Sequence, residues 1–307
     1  AFAFPDVYEV GMSYLGLQIF YEIINRREDS LMERVFAPWP DMEEKMREYG
    51  LSLFSIESRR PVRDFDVVAF TLQYEMSYTN VLNMLDLAGI PLEAQQRDEQ
   101  DPLVIAGGPC AFNPEPMAQF FDLLAIGEGE EVIGEFVDTI LLGRQRGLSR
   151  QELLLELAEL PGIYVPGLYQ VTYNSDGSVA KVAPVQDTPP KITKRIVKDF
   201  DKAPYPTRPL VPSTEVVHDR IMLEVLRGCT RGCRFCQAGI LNRPVREKQP
   251  ETVLAQASAL LASTGYDEIS LTSLSTSDYT PVREVINALH NRYGAYKVGI
   301  SLPSLRV

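Results

Sequence analysis

Along the first 148 residues, short apolar runs alternate with stretches of helical periodicity. Phe2-Ala3-Phe4 reads as the end of a first strand, and residues 15–27 and 41–49 carry the 3.6-residue spacing of amphipathic helices. Residues 66–71 (DVVAFT) form an apolar run between polar flanks, the pattern of a strand covered on both faces. Residues 77–88 are helical, with Gly89 placed as the cap that ends the helix. Residues 103–106 and 122–126 read as two further strands, and a helix follows the second as far as about Gly143. Strands that alternate with helices predict a doubly wound, parallel α/β sheet of Rossmann type over residues 1–148.

The pattern then changes. Ser149 is placed to cap a short helix through Leu157. Residues 167–182 alternate as a hairpin does, with Asn174-Ser175-Asp176-Gly177 as its turn. Residues 184–212 are proline-rich, a composition that stiffens a connector, so residues 149–219 are expected to join two domains. From 220 onward the alternation resumes. Residues 221–226 (IMLEVL) read as a buried strand, 252–263 as a helix, 268–272 as a strand, 281–291 as a helix and 297–301 as a strand. This β-α-β-α-β run over residues 220–307 is the beginning of a βα barrel of the TIM-like kind.

Size and charge sharpen the division. The chain has 307 residues, which suggests about two domains. The formal net charge is −12, divided as −18 over residues 1–190, +7 over 191–248 and −1 over 249–307. An acidic first half argues against a general nucleic-acid surface there. The basic middle suits an anionic cofactor or substrate, RNA included, or simply a solvated connector. No apolar run is long enough to cross a bilayer, and no signal peptide stands at the start. Three of the four cysteines lie close together, which is not a disulfide framework, so a reducing, cytoplasmic setting without membrane contact is predicted. The chain opens at Ala1 inside a strand and stops just after another, so it is expected to be part of a longer protein.

The candidate chemistry lies in Gly228-Cys229-Thr230-Arg231-Gly232-Cys233-Arg234-Phe235-Cys236, immediately after the strand at 221–226. Cys229, Cys233 and Cys236 follow a C-x3-C-x2-C spacing on a loop at the C-terminal end of a strand, where α/β folds place ligands. Three thiolates on one loop can converge on one metal centre. A structural zinc site needs a fourth ligand, and only distant Cys110 and two histidines, His218 and His290, are present to supply it. A [4Fe-4S] cluster held by three cysteines instead leaves one iron open to a small molecule. A zinc knuckle or unconnected core cysteines remain the plainer alternatives.

The cysteine spacing, with Phe235 before the last cysteine, resembles the signature of radical S-adenosylmethionine (SAM) enzymes. The resemblance implies that the open iron is chelated by SAM, that an electron delivered by a reductant such as flavodoxin or ferredoxin cleaves it, and that the adenosyl radical abstracts a substrate hydrogen. It also implies a six-unit barrel, of which residues 220–307 would be about half. Many members hold the SAM amino group with Gly-Gly-Glu after the second strand, where this chain has Ser273-Leu274-Ser275-Thr276, so Ser273 and Ser275 become the candidates. Arg246 could offer a guanidinium to the SAM carboxylate, or lie in a solvated loop.

The glycine-bearing ends of the earlier strands resemble the cobalamin-binding domain of cobalamin-dependent radical SAM proteins. They carry Gly11-Met12-Ser13, Thr71-Leu72-Gln73, Gly107-Gly108-Pro109 and Gly127-Glu128-Gly129. Ser13, Gly16, Thr71, Gly107, Gly108 and Gly127 are the residues this resemblance implies at cobalamin, possible only where small residues admit a close approach. Domains that ligate cobalt carry Asp-x-His-x-x-Gly in the first loop. Aligned on Gly16, this chain has Gly11 and Ser13 at the aspartate and histidine positions, and no histidine precedes His218. Cobalamin without a histidine ligand and a vestigial domain that binds nothing both stay open. Residues 301–306 resemble the third-strand end of relatives that methylthiolate RNA or protein. The activity implied is radical SAM catalysis, with cobalamin-assisted methyl transfer or methylthiolation as outcomes and a small molecule, RNA or protein as substrate. A non-catalytic iron–sulfur or zinc protein is the alternative of another class.

Overall fold

The computed structural model describes residues 1–185 and 188–305. In chain order it runs β1 (Phe2–Phe4), α1 (Tyr8–Gly11), α2 (Leu15–Asn25), β2 (Arg34–Phe36), α3 (Pro40–Tyr49), β3 (Val67–Thr71), α4 (Tyr78–Ala88), β4 (Leu103–Gly107), β5 (Leu123–Ala125), α5 (Gly129–Arg146), α6 (Arg150–Ala158) and β6 (Ile163–Tyr164). The hairpin β7 (Tyr169–Tyr173) and β8 (Val179–Pro184) follows. The last part contains β9 (Ile221–Glu224), β10 (Leu226–Arg227), α7 (Ala238–Leu241), β11 (Arg246–Glu247), α8 (Pro250–Thr264), β12 (Glu268–Thr272), α9 (Val282–Tyr293) and β13 (Gly299–Ser301). Caps fall where the sequence places them: Gly89 ends α4 in the left-handed conformation, and Ser149 with Glu152 forms a capping box at α6.

The chain divides into two compact units. The first comprises residues 1–11 and 24–196 and holds a six-stranded sheet in the order β2-β1-β3-β4-β5-β6. Alternate residues of its strands serve opposite faces, as the pleat requires. Val104 and Ala106 face a core with Met46 of α3 and Val81 and Leu85 of α4. Leu103 and Ile105 face another with Phe136 and Ile140 of α5 and Leu157 of α6. The sheet is therefore covered on both sides, but it is not wholly parallel: β6 joins β5 antiparallel. The sequence pattern signals neither β2 nor β6, whose three and two residues sit in no extended apolar run bounded by turn residues.

The second unit comprises residues 12–23 and 197–305 of the described chain. Its sheet is parallel in the order β13-β12-β9, with Leu223, Ile269 and Leu271 packed on Val253, Ala257 and Leu260 of α8 and on Val285 and Leu289 of α9. Leu15 of α2 joins this core. The segment containing Ser13 and Gly16 thus belongs with the second unit, although the sequence reads as if it continued the first. No helix among the described residues is long and apolar enough to cross a membrane.

Candidate functional site

All three clustered cysteines lie on one closed loop. β9 ends at Glu224, the Val225 N–H donates to the Thr272 carbonyl (3.1 Å), and β10 then pairs antiparallel with β11, Leu226 opposite Glu247 and Arg227 opposite Arg246. That ladder seals the base of residues 228–245. Gly228 makes the seal possible: it has φ +87°, and a Cβ there would lie 2.6 Å from the Asn242 carbonyl oxygen and 2.8 Å from that of Pro244. A side chain is excluded both by the backbone conformation and by the returning chain.

None of the three cysteines is in a disulfide; Cys229 and Cys236 are half-buried and Cys233 is exposed. The Arg231 N–H approaches Cys229 Sγ at 3.5 Å and the Gly239 N–H approaches Cys236 Sγ at 3.4 Å. A Cβ on Gly239 would be 3.6 Å from Cys236 Sγ and 3.9 Å from Cys229 Cβ, so two of the thiols flank one small residue at the start of α7. Backbone N–H groups aimed at sulfur tune the potential of a bound cluster. Among the described residues no three or more His, Cys, Asp or Glu side chains are gathered closely enough to hold a single metal ion. Three thiols on one loop are the donor set of a [4Fe-4S] cluster that keeps one iron without a protein ligand, whereas a structural zinc site needs a fourth ligand that this loop does not carry.

The loop after β12 is neighbour to this one. Ser273 Oγ lies 2.9 Å from Thr276 Oγ1 and accepts the Ser275 N–H at 3.2 Å; Ser275 Oγ donates to Asp278 at 2.7 Å. The Thr276 N–H donates to the Ser304 carbonyl beyond β13 (2.8 Å), tying two strand-end loops together. Ser273 and Ser275 are thus brought to the strand ends, with hydroxyls engaged locally and Ser275 buried. Arg231, between the first two cysteines, forms a two-point ion pair with Asp278, with Nε at 2.8 Å from Oδ2 and Nη2 on Oδ1. Sequence reasoning singled out neither partner, and nothing in residues 47 apart signals such a contact.

The other candidate positions divide. Phe235 is 91% exposed, leaving its ring open beside the last cysteine. Arg246 is drawn inward: it donates to the carbonyls of Pro244 and Val197 (3.2 Å each) and lies over the Phe200 ring with Arg227 and Lys248. Ser13 is buried, and its Oγ accepts the His218 N–H at 3.0 Å, within the second unit; Gly16 lies under the Tyr14 ring. Cys110 is buried, and burial pushes its thiol pKa up, so it behaves as a core residue rather than a thiolate ligand.

In the first unit, Thr71 is buried and its Oγ1 accepts from Gln73 Nε2 at 2.6 Å. Gly107 retains room, since a Cβ there would make only ordinary contact with Ala125 at 3.7 Å. Gly108 and Gly127 admit a close approach, but of the chain itself. A Cβ on Gly108 would be 2.8 Å from the Leu72 carbonyl oxygen, and one on Gly127 (φ +113°) would overlap the backbone of Arg195, which runs beside it as a parallel bridge. The reading of glycine as ligand clearance therefore holds open only at Gly107. Of the third-strand stretch 301–306, Arg306 lies outside the described residues.

Comparison with known proteins accords with this arrangement. The profile of the N-terminal region of radical SAM proteins matches residues 16–166, and that of the radical SAM superfamily matches residues 223–307. The chain is 24% identical over 309 residues to the uncharacterised protein MJ0966 of Methanocaldococcus jannaschii, covering all of this chain and 55% of that protein. It is similar in fold to the radical SAM methyltransferase TsrM of Kitasatospora setae. The structure of TsrM with cobalamin and a [4Fe-4S] cluster gives a TM-score of 0.55 at 14% identity, and that with tryptophan and a SAM analogue 0.51 at 12%. Each match covers 96% of this chain and 51% of the TsrM chain. The chain thus spans about half the length of the relatives it matches. With a doubly wound sheet, a parallel βα unit and three free cysteines on the loop leaving β9, the chain belongs to the radical SAM superfamily.

Proposed function

We propose that the protein is a radical SAM enzyme in which Cys229, Cys233 and Cys236 hold a [4Fe-4S] cluster and SAM occupies its open iron. The observation that carries this reading is the loop itself: three thiols outside any disulfide, closed at the base through Gly228, at the C-terminal end of a parallel strand. The cluster with SAM supplies a reductively generated adenosyl radical, which removes a hydrogen from the substrate. The chain's own part is to hold and orient. Backbone N–H groups of Arg231 and Gly239 face two of the sulfurs. Ser273 and Ser275 stand at the neighbouring strand end, where polar groups can meet the methionyl end of SAM. Phe235 offers an exposed apolar face beside Cys236. Arg246, held by two carbonyls, is assigned to the architecture of the loop base rather than to SAM.

Methyl transfer assisted by cobalamin is the outcome favoured by likeness to TsrM, whose structures contain cobalamin. Cobalamin is assigned to the C-terminal ends of the two central strands of the first sheet, where Thr71 and Gly107 lie side by side and Gly107 leaves room. The electron would come from a small reductant protein such as flavodoxin or ferredoxin, and the substrate is a small molecule, RNA or protein. The test uses the full-length protein, reconstituted anaerobically and reduced with dithionite in the presence of SAM. Formation of 5′-deoxyadenosine is expected. Its absence with an intact, reduced cluster would favour a non-catalytic iron–sulfur protein, and a preparation that takes up one zinc and no iron would overturn the assignment.

A further inference from the structure

Arg231 occupies an unusual place. It stands inside the cysteine arc, between Cys229 and Cys233, and its guanidinium meets Asp278 on the loop after β12. The contact is two-pronged, a geometry that fixes direction as well as distance. Asp278 is itself oriented, because Ser275 Oγ donates to its Oδ2 at 2.7 Å and the Asp278 N–H donates to the Ser275 carbonyl at 2.9 Å. The same loop is anchored from below by Thr276, which is buried, with Oγ1 donating to the Leu271 carbonyl and its N–H to Ser304. A chain of polar contacts thus runs from the end of β12 through Ser275 and Asp278 to Arg231, whose own N–H approaches Cys229 Sγ at 3.5 Å. The pair is partly exposed, and such ion pairs add little to stability, so its consequence lies in orientation and local charge.

We propose that Arg231 and Asp278 form a positioning latch, which ties the arc bearing Cys229 and Cys233 to the loop after β12 and keeps a charge-balanced pair beside the cluster. The proposal rests on the cluster assignment above. Two consequences follow. The arc is held to the same loop that carries Ser273 and Ser275, so the cluster and the polar groups around it keep one relative placement. The charges also act on reduction, which adds one electron to the cluster. A neighbouring cation stabilises the reduced form and a neighbouring anion opposes it, and in the intact pair the two largely cancel.

That cancellation makes the latch separable from simple structural support. In the anaerobically reconstituted full-length protein, Arg231→Gln removes the positive charge of the pair and should lower the cluster midpoint potential. Asp278→Asn leaves the Arg231 guanidinium uncompensated and should raise it. An EPR-monitored redox titration reads both. Shifts of opposite sign support the latch, whereas shifts of the same sign, or none, overturn it. A second measurement does not need the cluster: in iron-free protein, both substitutions should speed amide hydrogen exchange across residues 229–233, and unchanged exchange overturns the proposal. A wild type that holds no iron would refute the cluster assignment, and the latch would then stand or fall on the exchange result.

Discussion

The two units solve a similar problem with different outcomes. Each contains parallel strands with glycine at one or more of their C-terminal ends, the place where α/β folds bind ligands. In the first unit those loops largely close on the chain itself: Gly108 against Leu72, and Gly127 against the strand-like run of Arg195, whose side chain also pairs with Glu131 and Glu135. In the second, Gly228 closes the loop base in the same way, but three thiols outside any disulfide lie beyond the closure, two of them approached by backbone N–H groups at 3.4–3.5 Å. A glycine after a strand therefore marks a close approach without saying what approaches. The side-chain chemistry around it decides whether the neighbour is backbone or cofactor.

Substitutions in the two regions should fail in different ways, and that contrast can be broken. The largest effect is expected at Cys233→Ala, which removes the most exposed of the three thiols: iron uptake and 5′-deoxyadenosine formation should be abolished, with far-UV circular dichroism unchanged. Retained iron at the wild-type ratio would show that the arc is not the cluster site.

In the first unit the expected loss is of stability. Asp122, just before β5, has an Oδ2 that accepts from Arg97 Nη1 (3.0 Å), Arg150 Nη2 (2.9 Å) and the Val104 N–H (2.7 Å). Both Asp122 and Arg97 are buried, so Asp122→Ala strands two cations and should cost about 3–5 kcal/mol in urea unfolding, as breaking a buried pair does. A loss comparable to that of an exposed pair, under about 1 kcal/mol, would contradict the burial of this network.

Gly127→Ala should cost roughly 1–3 kcal/mol from its backbone conformation alone, and more from the overlap with Arg195. Gly107→Ala has room and should leave the unfolding midpoint near wild type while reducing cobalamin uptake. Equal destabilisation by both would remove the distinction between closed and open strand ends.

The finest effect is spectroscopic. Residues 1–148 contain no histidine, and Ser13 stands at the position where cobalt-ligating domains carry one. Cob(II)alamin bound to the full-length protein should therefore show no nitrogen superhyperfine splitting from an axial protein ligand. A clear nitrogen splitting would refute that expectation.

How much could be read without the structure follows from what sequence patterns encode. Long helices and five-residue strands were legible because burial on a sheet face or helix stripe repeats with a period, as in residues 67–71 and 103–107. The cysteine arc was legible because its ligands are close along the chain and follow a strand. Caps at Gly89 and Ser149 were legible because they act over three or four residues. What depended on distant segments was not. The antiparallel β6, the pairing of β10 with β11, the closure of Gly127 by Arg195 and the Arg231–Asp278 pair all join residues between 19 and 68 positions apart. The alternation of strands and helices and the three-thiol loop are both written in local spacing. Only the tertiary structure decided that the Ser13 segment belongs with the second unit, which glycines face backbone rather than open space, and where Arg231 points. Those outcomes are fixed by which surfaces meet when the chain is folded, and no local period carries that information.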